Sequence, residues 1–411
     1  MRAGRVLIIS ENAPVPADRR VWNISRTLTA AGWQVVIACA QGPDRDDAPY
    51  EVLEGIEIHR YPLRPAGSTL GYAREYGQAL WRLRKLVRRL ASERRFDVVH
   101  ACNPPDLLLL AARSLRRQGT RFIFDHHDLV PELYRSRFGR GEDLGYRATL
   151  RAERVAYRMA DVSLATNGSY ARVAVERGGM DPEDVFVVRN GPDLTRFRPV
   201  PADPAWRRGR AHLISYLGIM GPQDGVDHAL HALAALRRLR DDWHAVFVGD
   251  GDALPAMRAL ADELALGDHV EFAGWRGDDD IRLILSSSDV CLAPDPPSPL
   301  NDVSTMIKIP EYMALGRAVA SYALPESRVS AGDTALYAAP GDPDSLGRCV
   351  AELLDDPARR ERMGAMARER IETELSWQHS EGALLAAYAR ALSRPAPSPA
   401  PTRALTARTY L

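Results

Sequence analysis

Short apolar runs alternate with stretches of helical periodicity twice along this chain, and a proline-rich segment separates the two sets. RVLIIS at 5–10 is a continuous apolar run of the kind buried on both faces of a parallel sheet. A turn-rich loop follows at 11–20, then helical spacing from Val21 that Gly32 ends, then a second strand at 34–40. This β-loop-α-β order opens a doubly wound α/β domain. Further strands are expected at 56–61, 98–101, 121–124, 162–165 and 184–188. Residues 192–210 carry Pro192, Pro199, Pro201 and Pro204 without periodicity and read as a linker. The pattern restarts at 212–217 with a Gly-rich loop, a helix at 226–239, and strands at 245–248, 270–273 and 290–293. The expected division is a Rossmann-like first domain at 1–197 and a second at 198–378. A helix at 379–392 returns to the first domain, and a disordered tail rich in Pro, Ala, Ser and Thr occupies 393–411. Two such units imply a cleft between them, where ligands usually bind.

Composition removes several function classes. Lys+Arg and Asp+Glu number 54 each, so the net charge is zero, against the basic excess of a nucleic-acid binder. The Gly-rich dinucleotide fingerprint is absent, so no NAD or other cofactor is expected. Four cysteines, Cys39, Cys102, Cys291 and Cys349, lie far apart without C-x-x-C spacing and suggest buried thiols in a reducing compartment. The first apolar run stops at Glu11, and no stretch approaches the roughly 18 apolar residues of a membrane span. A cytoplasmic protein is expected. The basic amphipathic helix at 72–94, with RLRKLVRRL at its centre, has two readings: an anionic membrane contact at the inner face, or a solvated outer helix.

Two stretches carry chemistry. The strand at 121–124 delivers Asp125, His126, His127 and Asp128 to its carboxyl end, where open α/β sheets bind ligands. The alternative is a loop with a capping Asp and surface His. The second stretch is SPLNDVSTMIKIPEYMALGRAVAS at 298–321. Ser304 and Thr305 can cap a helix over 306–315, Pro310 lies near its start and Gly316 is a natural stop. Lys308 and Glu311 share one face of its first turn. A helix N-terminus with a Lys is a plausible anion site, with Glu311 as an acceptor beside it. The plainer alternative is a capped surface helix with a solvated Lys–Glu pair. Gly218 and Gly221 permit close backbone approach, and Gly249 and Gly251 fit a tight strand-to-helix turn.

From Arg5 to about residue 392 the chain resembles the retaining GT-B glycosyltransferases of the large sucrose-synthase-like and mannosyltransferase family. The matching pieces, in order, are DRRVWNISRTLTAAGWQV, DHHDLVPELY, VVRNGPDLTRF, YLGIMGPQDGVDHAL, VFVGDGDALP, VEFAGW, SSDVCLAPDPPSP and EYMALGRAVAS. The subgroup most resembled acts in bacterial capsule, O-antigen or aminosugar transfer. The resemblance implies transfer from a nucleotide-diphosphate sugar (UDP-, GDP- or dTDP-linked) to a glycan, lipid-linked or small-molecule acceptor, with retention and without a metal. It assigns His127 to the donor sugar, Glu311 to the ribose hydroxyls, and Trp275 and Arg276 to the nucleobase. Backbone N–H groups of Ser304, Thr305, Met306 and Ile307 would meet the phosphates. The family's diphosphate-binding Arg and Lys fall at Ile219 and Asp224, and the first Glu of its E-x7-E segment falls at Val303. Lys308, with Arg19 or Arg20, is the expected compensating charge. These departures leave two alternatives, a non-catalytic homologue partnering an active transferase and a sugar-nucleotide epimerase. Acceptor choice is expected of residues 11–20 and 66–76.

Overall fold

The computed structural model describes residues 4–42, 48–63, 69–138 and 141–394. The tail expected from 393 lies outside the described residues from 395 onward, and so does the start of the 66–76 loop. From Thr69 that loop belongs to the basic helix, Thr69–Glu93, which begins earlier than its periodicity suggested.

The first sheet contains β1 (Arg5–Ile9), β2 (Gln34–Ala40), β3 (Tyr50–Leu53), β4 (Ile56–Tyr61), β5 (Val98–Cys102), β6 (Arg121–His126), β7 (Val162–Ala165) and β8 (Val185–Val187). Its eight strands run in the order β3-β4-β2-β1-β5-β6-β7-β8. All pairs are parallel except the edge pair β3–β4. In β3, Tyr50 and Val52 are about half exposed and Glu51 and Leu53 only partly buried, so no apolar run marks that strand in the sequence.

The second sheet contains β9 (His212–Leu217), β10 (Trp243–Val248), β11 (Val270–Gly274), β12 (Val290–Ala293), β13 (Ala318–Tyr322) and β14 (Ala335–Ala338). Its six strands run in the order β11-β10-β9-β12-β13-β14, all parallel. Both domains are doubly wound α/β sandwiches of the Rossmann type.

The inner strands follow the sequence reading because their burial leaves no polar face: β1, β5, β6, β12 and β13 are buried at every position. The last helix, Trp377–Ser393, packs on the first sheet, with Trp377, Leu384, Ala387 and Tyr388 in one core with Val6, Ile8, Val35 and Ile123. The Tyr388 hydroxyl reaches His100 Nδ1 at 2.8 Å, beneath β5. All four cysteines are free and buried, in keeping with their apolar contexts. No helix among the described residues is long and apolar enough to cross a membrane.

Candidate active site

At the carboxyl end of the first sheet, Asp125 is fully buried in β6, and both of its oxygens are taken by Arg20. Arg20 Nε donates at 2.8 Å and Nη2 at 2.6 Å. Burial alone would raise the carboxyl's pKa, but the guanidinium outweighs it and holds Asp125 well below the usual carboxylate range. Arg20 Nη1 also donates to the Val188 carbonyl at 2.8 Å and to Asn190 Oδ1 at 2.5 Å. His100, Cys102 and Asp125 converge here at metal-ligand spacing. Because Arg20 already occupies both carboxylate oxygens, this cluster is a buried ion-pair network. Arg20 is therefore not the compensating phosphate ligand; Asp125 consumes its charge.

Arg20 lies in the first turn of the helix Arg19–Ala30, whose N-terminus Asp18 caps through Val21 N. With Arg20 turned inward, Arg19 reaches across to the second domain. Its Nη1 donates to Glu311 Oε1 at 2.7 Å and its Nη2 to Asp278 Oδ1 at 3.3 Å.

His127 follows β6. Its backbone N–H donates to Asn103 Oδ1 at 2.8 Å, and that of Asp128 does so at 3.1 Å. Asn103 Nδ2 in turn donates to the Asp128 carbonyl at 2.6 Å and to Asp106 at 2.8 Å. One side chain thus holds the His127–Asp128 turn from the neighbouring strand end. His127 Nδ1 lies 4.0 Å from Asp125. The preceding His126 points into the core, 2.6 Å from the Tyr157 hydroxyl, where burial pushes its pKa down to about 3 and keeps it neutral.

In the second domain the helix is shorter than its composition suggested, Lys308–Ala314. Ile307 takes the N-terminal flank with helical backbone and no side-chain cap. The expected caps have other partners: Ser304 donates to the Leu300 carbonyl at 2.7 Å, and Thr305 Oγ1 accepts from Asn167 Nδ2 at 3.0 Å. The Ser304 N–H is turned back on the Asn301 carbonyl at 3.3 Å, so it is not open to a phosphate as expected. Gly316 ends the helix with φ of 65°.

Lys308 and Glu311 do not form a solvated pair. Both are buried, and each has its own partner. Lys308 Nζ lies 2.6 Å from Asp295 Oδ1 and 5.0 Å from the Tyr216 ring centroid. Burial would lower its pKa, but Asp295, Tyr216 and Asp224 together raise it, so it stays charged. Burial raises the Glu311 carboxyl against the opposing charges of Arg19 and Arg196.

The Gly-rich loop rests on this lysine: a Cβ on Gly218 would stand 3.3 Å from Lys308 Cε. Asp224 closes the loop by accepting from Gly221 N at 2.9 Å. Burial and Asp295 push its pKa up to about 6 against the charge of Lys308. Ile219 is 69% exposed, and Trp275 is 75% exposed on the loop after β11, with Arg276 half-buried beside it. Gly249 has φ of 135°, and a Cβ there would stand 1.9 Å from the Gly218 carbonyl, so this glycine lets two loop backbones touch. Val303 packs on an apolar cluster of Leu129, Ala165, Tyr170 and Leu300.

The structure thus unites Lys308, Gly218, Gly221 and Asp224 in one cluster, joins Glu311 to Arg19, and leaves His127 with the Asp125 network on the facing domain. Asn103, Asp125's pairing with Arg20, and Asp295 escaped sequence reasoning. Asn103 and Asp295 share a signal, a polar residue among prolines just after an apolar strand, in NPP and APDPP.

Two family models match the chain: Glycosyltransferase Family 4 over residues 17–196 and Glycosyl transferases group 1 over residues 211–356. Glycogen synthase of Mycobacterium tuberculosis (strain ATCC 25618 / H37Rv) is 27% identical over 400 residues, covering 91% of this chain and 92% of the relative. The GDP-mannose-dependent alpha-(1-6)-phosphatidylinositol monomannoside mannosyltransferase of the same organism is 28% identical, covering 71% of this chain and 75% of the relative. The structure of sucrose-phosphate synthase from Thermosynechococcus elongatus superposes with a TM-score of 0.75 at 20% identity, covering 94% of this chain and 98% of that one.

Proposed function

Since the chain is a glycosyltransferase of GT-B fold, we propose that it moves a sugar from a nucleotide-diphosphate sugar to a glycan, lipid-linked or small-molecule acceptor, with retention and without a metal. Glu311 carries this reading. It is a buried carboxylate whose ion pair comes from the other domain. Such a group can exchange its cation for two hydroxyl donors, and a ribose supplies them. Arg19, once displaced, is a half-exposed bidentate cation beside the leaving diphosphate. The remaining leaving-group stabilisation falls to the backbone N–H groups of Thr305, Met306 and Ile307 at the helix entry. His127 would hydrogen-bond the donor sugar, and Trp275 and Arg276 would meet the base. A relative named for GDP-mannose supports the donor class.

Lys308 acts indirectly. Asp295 already balances it, so it supports the Gly-rich loop and draws Asp224 toward a lower pKa. The expectation that Lys308 replaces the missing loop charges is revised accordingly. Domain limits near 197 and 378 remain part of this proposal, as does a cytoplasmic site.

The helix Thr69–Glu93 supports peripheral contact with the inner face of the membrane. Trp81 is 65% exposed, and Arg84, Lys85 and Arg88 line the same surface groove. An aromatic ring ringed by cations suits an anionic interface and would present a lipid-linked acceptor.

Incubation of UDP-, GDP- and dTDP-sugars with chelator and a panel of glycan and small-molecule acceptors should consume one donor, releasing the nucleoside diphosphate as the sugar passes to an acceptor hydroxyl or to water, and the new linkage should show unchanged anomeric configuration by NMR. Glu311→Ala should weaken that donor by about 1.5–3 kcal/mol in calorimetry; donor consumption by none of the three would sink the reading. Binding a diphosphate near Asp224 favours its protonated form, so donor affinity should rise as pH falls from about 7.5 through its pKa of about 6. The facing groups are Lys308, Asp295, Arg137 and the Gly221 N–H, and the intact diphosphate diester does not titrate there. Asp224→Asn should flatten that slope, and a slope that survives in the variant assigns it elsewhere. Finally, anionic vesicles should sediment the protein, and Trp81→Ala with Arg84→Ser should abolish this; equal sedimentation of parent and variant removes the membrane contact.

A further inference from the structure

We infer that Asn167 and Ser169 of the first domain, with Thr305 and Glu326 of the second, form a clasp that holds the domains shut and sets the backbone of residues 303–307 for donor binding. Its second half rests on the function proposed above; its first half does not.

Asn167 is fully buried and caps the helix Gly168–Glu176. Its Oδ1 accepts from Tyr170 N at 2.7 Å. Its Nδ2 crosses to the second domain, donating to the Val303 carbonyl at 2.9 Å and to Thr305 Oγ1 at 3.0 Å. One amide therefore does two separable jobs: the oxygen caps a helix in its own domain, and both N–H groups bind the other. The Thr305 hydroxyl accepts from Asn167 and passes its own proton to Glu326 Oε2 at 3.4 Å. The other oxygen of Glu326 accepts from Ser169 Oγ at 2.6 Å, and Arg172 Nη2 donates to that Oγ at 3.0 Å. The ring closes from one domain to the other and back.

Glu326 makes the ring consequential. It is buried in the first turn of the helix Pro325–Ala331, and among the described residues its carboxylate has hydroxyl partners and no ion pair. Parting the domains would remove its shorter hydrogen bond and leave a buried carboxylate under-satisfied. A second pair lies alongside: the Tyr170 hydroxyl meets Ser304 Oγ at 2.9 Å. Ser304 commits its proton to the Leu300 carbonyl, so Tyr170 is the donor. The centre of the contact is apolar, with Leu129, Ala165 and Tyr170 of one domain against Leu300 and Val303 of the other. A polar ring around an apolar centre is the anatomy of an interface. Val303, where the resembled family has a carboxylate, contributes to that centre. The clasp grips residues 303–305 on one side, and the helix at Lys308 anchors the other, so the short segment between is held at both ends only when the domains are closed. Asn167 and Ser169 are positioning residues in this scheme.

The two jobs of Asn167 give the test. Asn167→Asp keeps the capping oxygen and deletes both interdomain donors. Ser169→Ala cuts the ring elsewhere with a minimal change. Small-angle scattering of the full chain without nucleotide should show a larger radius of gyration for both variants, with melting temperatures near the parent's. With the donor identified in the transfer screen, kcat/KM should fall by about tenfold or more, as for roughly 1.4 kcal/mol. Part of that fall should be a raised donor KM, because a loss of folded enzyme alone would lower kcat and leave KM unchanged. Scattering needs no substrate, so it decides the clasp even if the donor assignment fails. A parent-like radius of gyration in both variants would overturn the proposal. A parent-like donor KM would overturn its second half, the setting of residues 303–307 for the donor.

Discussion

The buried pairing of Arg20 with Asp125 is the contact on which the rest of the cleft depends. A buried carboxylate is tolerable only with its lone pairs engaged, and here a two-pronged guanidinium engages both oxygens. The same guanidinium ties β6 to Val188 and Asn190 at the exit of the first domain. It therefore sets the direction of the first helix, and the residue before it, Arg19, projects toward Glu311. His127 is the next consequence, since it leaves β6 two residues after Asp125 and Asn103 holds its turn. Removing either member of a buried pair typically costs about 3–5 kcal/mol, so this network is a scaffold rather than a spare cation site.

The second domain solves a different electrostatic problem. Its Gly-rich loop carries Ile219 and Asp224 where the resembled family has cations. The structure does not simply relocate those charges to Lys308, because Asp295 takes that ammonium at 2.6 Å. Instead it moderates the carboxylate. Burial and the neighbouring carboxylate move Asp224 to a pKa of about 6, where a proton can neutralise it. Glu311 takes its ion pair from Arg19 of the opposite domain, so charge balance at that carboxylate is a property of the closed pair of domains.

The layered architecture was legible because inner parallel strands are apolar on both faces, as RVLIIS and VVHAC are. The edge strand at Tyr50–Leu53 was not, since its residues alternate between exposed and partly buried and carry no such run. At the site, Glu311, Lys308 and Asp125 were singled out from their positions at strand ends and helix entries. Their partners were not readable: Arg19 and Glu311 are 292 residues apart, and Arg20 and Asp125 are 105 apart. Local pattern also misled at Ser304 and Thr305. Both are good capping residues, yet their hydroxyls serve the other domain and the helix starts at Lys308. Tertiary hydrogen bonds outcompete local caps where a hydroxyl is buried between domains.

The proposal turns on one displacement: a nucleoside diphosphate takes the place of Arg19 at Glu311. Thermal unfolding of the purified chain with UDP, GDP, dTDP and ADP, each with and without Mg²⁺, tests it most directly. A ligand that binds only the folded state raises the transition temperature, so one nucleotide should shift it with or without the metal. No shift with any of the four would contradict the account.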